Sequence, residues 1–118
     1  MEIYHLEDWV NADNPTPGAR GRLDILTEQQ NAKALAGHVT ILPPGEKVPG
    51  HYHERRESLL YFISGEVVET VDGREFPLKA GDVIYIAAGE KHSMENRSGR
   101  EARYLEVYTP ITRDVVMV

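Results

Sequence analysis

The chain of 118 residues has no cysteine, a single tryptophan and only two phenylalanines. Without thiols there is no disulfide framework and no thiolate chemistry, so any bound metal must be held by nitrogen and oxygen ligands. No run approaches the roughly 20 consecutive apolar residues that a membrane-spanning helix needs, and no membrane partner is expected. The opening Met1-Glu2-Ile3-Tyr4-His5 lacks the basic start and apolar stretch of a secretory signal, which leaves a cytoplasmic location as the expectation. A basic face is missing too. Lysine and arginine number 13 against 19 acidic residues, interleaved to a net charge of -6, so nucleic acid is not an expected partner. There are no repeats at solenoid periods and no low-complexity segments.

What is present is a series of short apolar segments punctuated by glycine and proline. The length suits one domain over residues 1–118, with an N-terminal arm (1–21), a barrel core (about 22–109) and a C-terminal tail (110–118). Strands are expected at residues 3–6, 23–26, 34–42, 58–63, 66–71, 74–78, 83–87 and 103–109. Residues 66–71 and 74–78 are joined by Asp72-Gly73, a strong hairpin signal. Only residues 6–10 and 27–36 are candidates for short helices. Gly45, Gly65, Gly73, Gly81 and Gly89 each end an apolar run, where a tight turn favours positive φ. Short strands at near-regular spacing argue for an all-β sandwich or barrel. The apolar tail 115–118 is expected to pack on the body or on a partner.

Three of the five histidines carry the functional signal. His51 and His53 stand two apart just past a turn expected at Pro49-Gly50, and residues i and i+2 of a strand share a face, so both imidazoles point one way. Neutral imidazole is the commonest ligand for zinc, copper, nickel and non-haem iron. His92 follows the turn at Ala88-Gly89 behind the apolar segment 83–86. Of the others, His5 is expected to be exposed and His38 to be a hydrogen-bonded structural residue.

These two regions together resemble the paired motifs of the cupin superfamily. The first motif runs from Gly45 through His51-Tyr52-His53 to Gly65. The second matches at Gly81, Gly89, His92 and Asn96, with Ala87 at its usual proline. Fifteen residues, 66–80, separate them, as in compact single-domain members. The resemblance implies a double-stranded β-helix, or jelly-roll barrel, with His51, His53 and His92 on one divalent ion (Fe, Mn, Ni or Zn). The motif glutamate is the point of departure. Three residues after His53 lead to Glu57, with one residue too many before Gly65; four lead to Ser58, with the family's spacing to Gly65. We expect Glu57 to turn inward as fourth ligand, because His53 to Glu57 is an even step on an unbroken strand. The alternative is a three-histidine site beside Ser58.

An ion held this way keeps open coordination positions, as a catalytic site requires. The expected function is therefore a metal-dependent enzyme (dioxygenase, lyase or isomerase type) acting on a small oxygen-rich molecule such as a sugar acid or other carboxylate. A non-catalytic cupin that binds or senses a small molecule is the alternative, and no catalytic residue beyond the metal ligands is assigned. A homodimer is expected, formed through the outer face of Leu59, Tyr61 and Ile63 and by an N-terminal arm that adds a strand to the partner's sheet.

Overall fold

The computed structural model describes residues 1–30 and 32–118. It contains a four-residue helix α1 (Glu7–Val10), a 3-10 turn (Glu28–Gln30) and ten strands: β1 (Gly21–Leu26), β2 (Ala36–Leu42), β3 (Lys47–Tyr52), β4 (Glu57–Ser64), β5 (Glu66–Val71), β6 (Arg74–Lys79), β7 (Val83–Ile86), β8 (His92–Glu95), β9 (Ala102–Thr109) and β10 (Val116–Met117). They form two five-stranded sheets, ordered β1-β2-β9-β4-β7 and β10-β3-β8-β5-β6, with every pairing antiparallel. This is the expected all-β barrel of two facing sheets.

Local sequence accounts for the main joints. Asp72 and Gly73 both take positive φ (51° and 76°), the geometry of a type I′ hairpin turn whose twist matches the strands β5 and β6. Gly65 takes φ 75°, and an added Cβ would lie 2.6 Å from the Glu101 carbonyl oxygen, so glycine is required there on two counts.

Along β4 the burial alternates strictly. Ser58, Leu60 and Phe62 face inward, and Glu57, Leu59 and Tyr61 face out. Leu42, Leu60, Phe62, Val67, Met94 and Tyr104, from both sheets, build the core. Asn96, fully buried, ties β8 to its surroundings by donating to the carbonyls of Leu42 (2.8 Å) and Arg100 (2.7 Å). The motif asparagine is thus a structural residue here.

The sequence expectations need three corrections. Residues 3–6 form no strand; the arm leads into α1, where Trp9 packs its ring on Tyr4 and donates from Nε1 to the Asp24 carbonyl. Within residues 27–36 only the short 3-10 turn forms, and Asn31 lies outside the described residues. Pro49-Gly50 is no turn but part of β3. The tail packs on the body, as expected, by pairing with β3, Val116 opposite Tyr52 and Met117 opposite His51.

Candidate metal centre and its cavity

β3 and β8 bring the histidines together. Lys47 and Val48 pair with Glu95 and Met94, but the next partner of His92 is His51, so β3 carries one residue more than β8 between these points. This bulge at Pro49-Gly50 re-aims the strand end. It sets the His51 ring beside His92, with centroids 4.2 Å apart. His53 lies one residue beyond β3 and completes the triangle at 4.9 Å from His51 and 5.5 Å from His92. One nitrogen from each ring falls within 4.8 Å of the others, and no carboxylate joins the cluster among the described residues.

All three rings are held the same way. The Nδ1 of His51 meets the Pro49 carbonyl at 2.7 Å, that of His92 meets the Glu90 carbonyl at 2.9 Å, and that of His53 meets the Asp114 carbonyl. A carbonyl only accepts, so each Nδ1 carries the proton and donates it, which leaves each Nε2 as a bare lone pair. Burial also disfavours the charged form of two of the rings. Desolvation lowers His92 from its ordinary value and lowers His53 to about 4. Three imidazoles oriented in this way fit a divalent transition metal, and His53 and His92 need lose no proton to bind it near pH 7.

Glu57 does not belong to this centre. The strand on which the even step was counted is broken, since residues 53–56 form a loop passing from one sheet to the other and restarting the in–out alternation. Glu57 begins β4 on its outer face and accepts a 2.6 Å hydrogen bond from the Tyr85 hydroxyl. Ser58, buried at 3% exposure, takes the inward position.

The loop is clamped by Asp114. Its carboxylate accepts from the backbone N–H groups of Glu54 (3.0 Å), Arg55 (2.7 Å) and Arg56 (3.0 Å), which together hold it below the usual carboxylate range. One residue of the C-terminal segment therefore fixes both the loop and, through its carbonyl, the His53 ring.

The histidines open onto a cavity of about 450 Å³ between the sheets, floored by core residues including Leu60, Met94 and Tyr104. Sequence reasoning missed its polar groups. Glu69 projects from β5 at 2% exposure with both carboxylate oxygens unpartnered, and burial pushes it up to about 8. Glu106 projects from β9 of the facing sheet. Burial raises it as well, against the opposing pull of the nearby Ser58 hydroxyl, not aligned for a full hydrogen bond, and of Arg56. His38 stands 3.7 Å from Glu106; burial and then Arg22 lower it to about 3, so the contact is between a neutral imidazole and a carboxyl group. The reading of His38 as a satisfied structural residue fails, because its Nδ1 is unpartnered and it lines the cavity.

A signal for the carboxyls existed. Glu69 shares strand parity with the buried Val67, and Glu106 with the buried Tyr104 and Tyr108.

The fold and this centre define a double-stranded β-helix barrel with a three-histidine site at its interior. The family model described as "Cupin domain" matches residues 38–108. The chain is 41% identical over 94 residues to the oxalate-binding protein of Thermotoga maritima, covering 76% of this chain and 78% of the relative. It is 32% identical over 104 residues to the polyketide synthase CurC of Streptomyces cyaneus, covering 86% and 68%. A solved structure from Klebsiella pneumoniae with a double-stranded β-helix domain superposes with a TM-score of 0.82 at 21% identity, covering 100% of this chain and 97% of that one. The chain belongs to the cupin family.

Proposed function

We propose that this cupin is a metal-dependent enzyme acting on a small oxygen-rich molecule, a sugar acid or another carboxylate. The observation that carries the reading is the set of three Nε2 atoms at a cavity where buried polar atoms of Glu69, His38 and Arg56 have no hydrogen-bond partner among the described residues. A native structure leaves such groups unsatisfied at a cost, and functional sites are where that cost is retained. His51, His53 and His92 would hold one Fe, Mn, Ni or Zn ion, which when bound supplies Lewis-acid polarisation of a carboxylate or carbonyl.

The chain's own groups then have definite tasks. Asp114, through its carbonyl, orients His53. Near pH 7 Glu69 carries a proton on a carboxyl oxygen inside the cavity, where it can donate to a ligand oxygen. The floor of Leu60, Met94 and Tyr104 limits ligand size and excludes water from one side.

Non-catalytic binding is the second reading. It is favoured by the 41% identity to a relative named as an oxalate-binding protein.

Elemental analysis of protein purified without added metal or chelator tests the centre, with His51→Ala alongside. About one equivalent of Fe, Mn, Ni or Zn is expected in the parent and little in the variant. Equal, negligible metal in both would remove the basis of the proposal.

A further inference from the structure

Arg56 lines the cavity shared with the histidines. Its guanidinium carbon sits 3.8 Å from the centroid of the Tyr108 ring, a stacked arrangement that fixes the planar fork. Its backbone N–H is held by Asp114, so the main chain beneath it is fixed as well. It forms no salt bridge among the described residues, and its Nε is buried with no hydrogen-bond partner. An oriented, desolvated donor facing a cavity is half of an ion pair. Arg22 approaches the same place from β1, donating to the Tyr108 hydroxyl at 3.4 Å. Tyr108 thus stands between two guanidinium groups that line the cavity shared with the histidines. The charge of Arg56 reaches His53 and His92, which places it beside the centre rather than at a remote surface.

The carboxyl group nearest in character, Glu106, does not neutralise it. Glu106 lies within electrostatic reach of Arg56 but makes no ion pair with it. Glu106 and Glu69 share this cavity. Phosphate would concentrate more than one negative charge on a single group beside the Glu106 carboxyl, whereas each planar carboxylate of a small organic acid carries one charge and matches the guanidinium fork. A hydroxyl elsewhere on the ligand would find hydrogen-bonding partners in those same carboxyl groups.

We propose that Arg56, backed by Arg22 and Tyr108, reads the carboxylate of a small hydroxy- or dicarboxylate ligand whose other oxygens reach the histidine centre. This assignment rests on the reading of the cavity as a metal-centred small-molecule site, and it names the specificity-determining residue of that site. It also makes a distinction the centre alone does not. A metal ion attracts any oxygen donor, while Arg56 selects for charge.

Isothermal titration calorimetry of the nickel-loaded full chain tests it, with glycolate and oxalate as probes, 1,2-ethanediol as the uncharged counterpart of glycolate and inorganic phosphate as the rival anion. Glycolate or oxalate should bind, and 1,2-ethanediol and phosphate should bind at least about tenfold more weakly. Arg56→Gln should weaken the carboxylate by about tenfold to a hundredfold while holding the parent's nickel content. Arg56→Lys, which keeps the charge but loses the stacked fork, should fall between. Parent-like carboxylate affinity in both variants, at full nickel content, would overturn the role of Arg56 and leave the metal-centre reading standing. Preference for phosphate would overturn the ligand class. If neither carboxylate binds the nickel-loaded parent, the small-carboxylate reading falls and this assignment with it.

Discussion

Glu69 is the residue on which the chemistry of the cavity and the stability of the barrel conflict. An ionised carboxyl buried without partners is unfavourable, so the native state holds the proton up to about pH 8. The unfolded chain releases it near the ordinary carboxylate value. Between those values the native state binds more protons, and this group's contribution to stability is lost as pH rises toward 8. Glu69→Gln should therefore gain on the order of 2–3 kcal/mol over the parent at pH 8.5, roughly 5–10 °C in Tm, with little difference at pH 4.5. Thermal melts at the two pH values check this, and an equal difference at both would contradict it. Glu57 gives the opposite case. Glu57→Gln should leave metal content unchanged by elemental analysis, since its carboxylate faces Tyr85 on the outside of the barrel. The histidines were legible because their spacings fall in two motifs. Glu69 and Glu106 were not, because a charged residue in an alternating strand reads as solvent-facing until the parity of its buried neighbours is known.

At the scale of the element, the loop after β3 decides the site. An even step from His53 to Glu57 would preserve the face on a continuous strand, but the backbone changes sheets between them and the parity restarts. The clamp on this loop comes from a residue about sixty positions away, Asp114, which no local pattern announces. Asp114→Ala should release three backbone N–H groups and loosen both the loop and β10. Loss of such supporting contacts typically costs metal affinity about 10- to 100-fold. Titrating the metal-free protein with nickel, with far-UV circular dichroism to establish that the variant is folded, measures it. Unchanged affinity would show that the Asp114 carboxylate clamp is not needed to position His53. The hairpin at Asp72-Gly73 and the glycine turns were readable, because φ > 0 is a local requirement. The bulge at Pro49-Gly50 was read as a turn, because the same residues serve both and only the pairing with β8 distinguishes them.

For the whole molecule, two large-scale properties follow. One is the outer face of the β4–β7 sheet, where Leu59, Tyr61, Val83 and Tyr85 are all exposed at 39–56%. A contiguous apolar face of this kind favours self-association. Size-exclusion chromatography with light scattering should give a dimer, and Leu59→Glu should shift it toward monomer; a monomeric parent would refute this. The other is the pH profile of the metal-free barrel. His38 and His53, lowered to about 3 and 4, stay neutral when native but take protons when unfolded below about pH 6.5. Their contribution is present above that value and lost on acidification. His92, lowered as well, adds to them, while Glu69 and Glu106, both raised by burial, oppose. The three histidines outweigh the two carboxyl groups between about pH 4.5 and 6.5, and the carboxyl groups dominate above. Melting temperature in the metal-free protein should therefore peak near pH 6.5 and decline on both sides.

By itself the sequence determined the cupin barrel and the histidine trio, because turn chemistry, strand alternation and motif spacing are properties of neighbouring residues. Tertiary structure alone decided that Glu57 stays outside, that Ser58 takes its place, and that Arg56, Glu69 and Glu106 share a cavity with the histidines. Those residues come from different strands of two facing sheets. Which strands face one another, and in what register, is fixed by packing across the barrel and not by any local run of the chain.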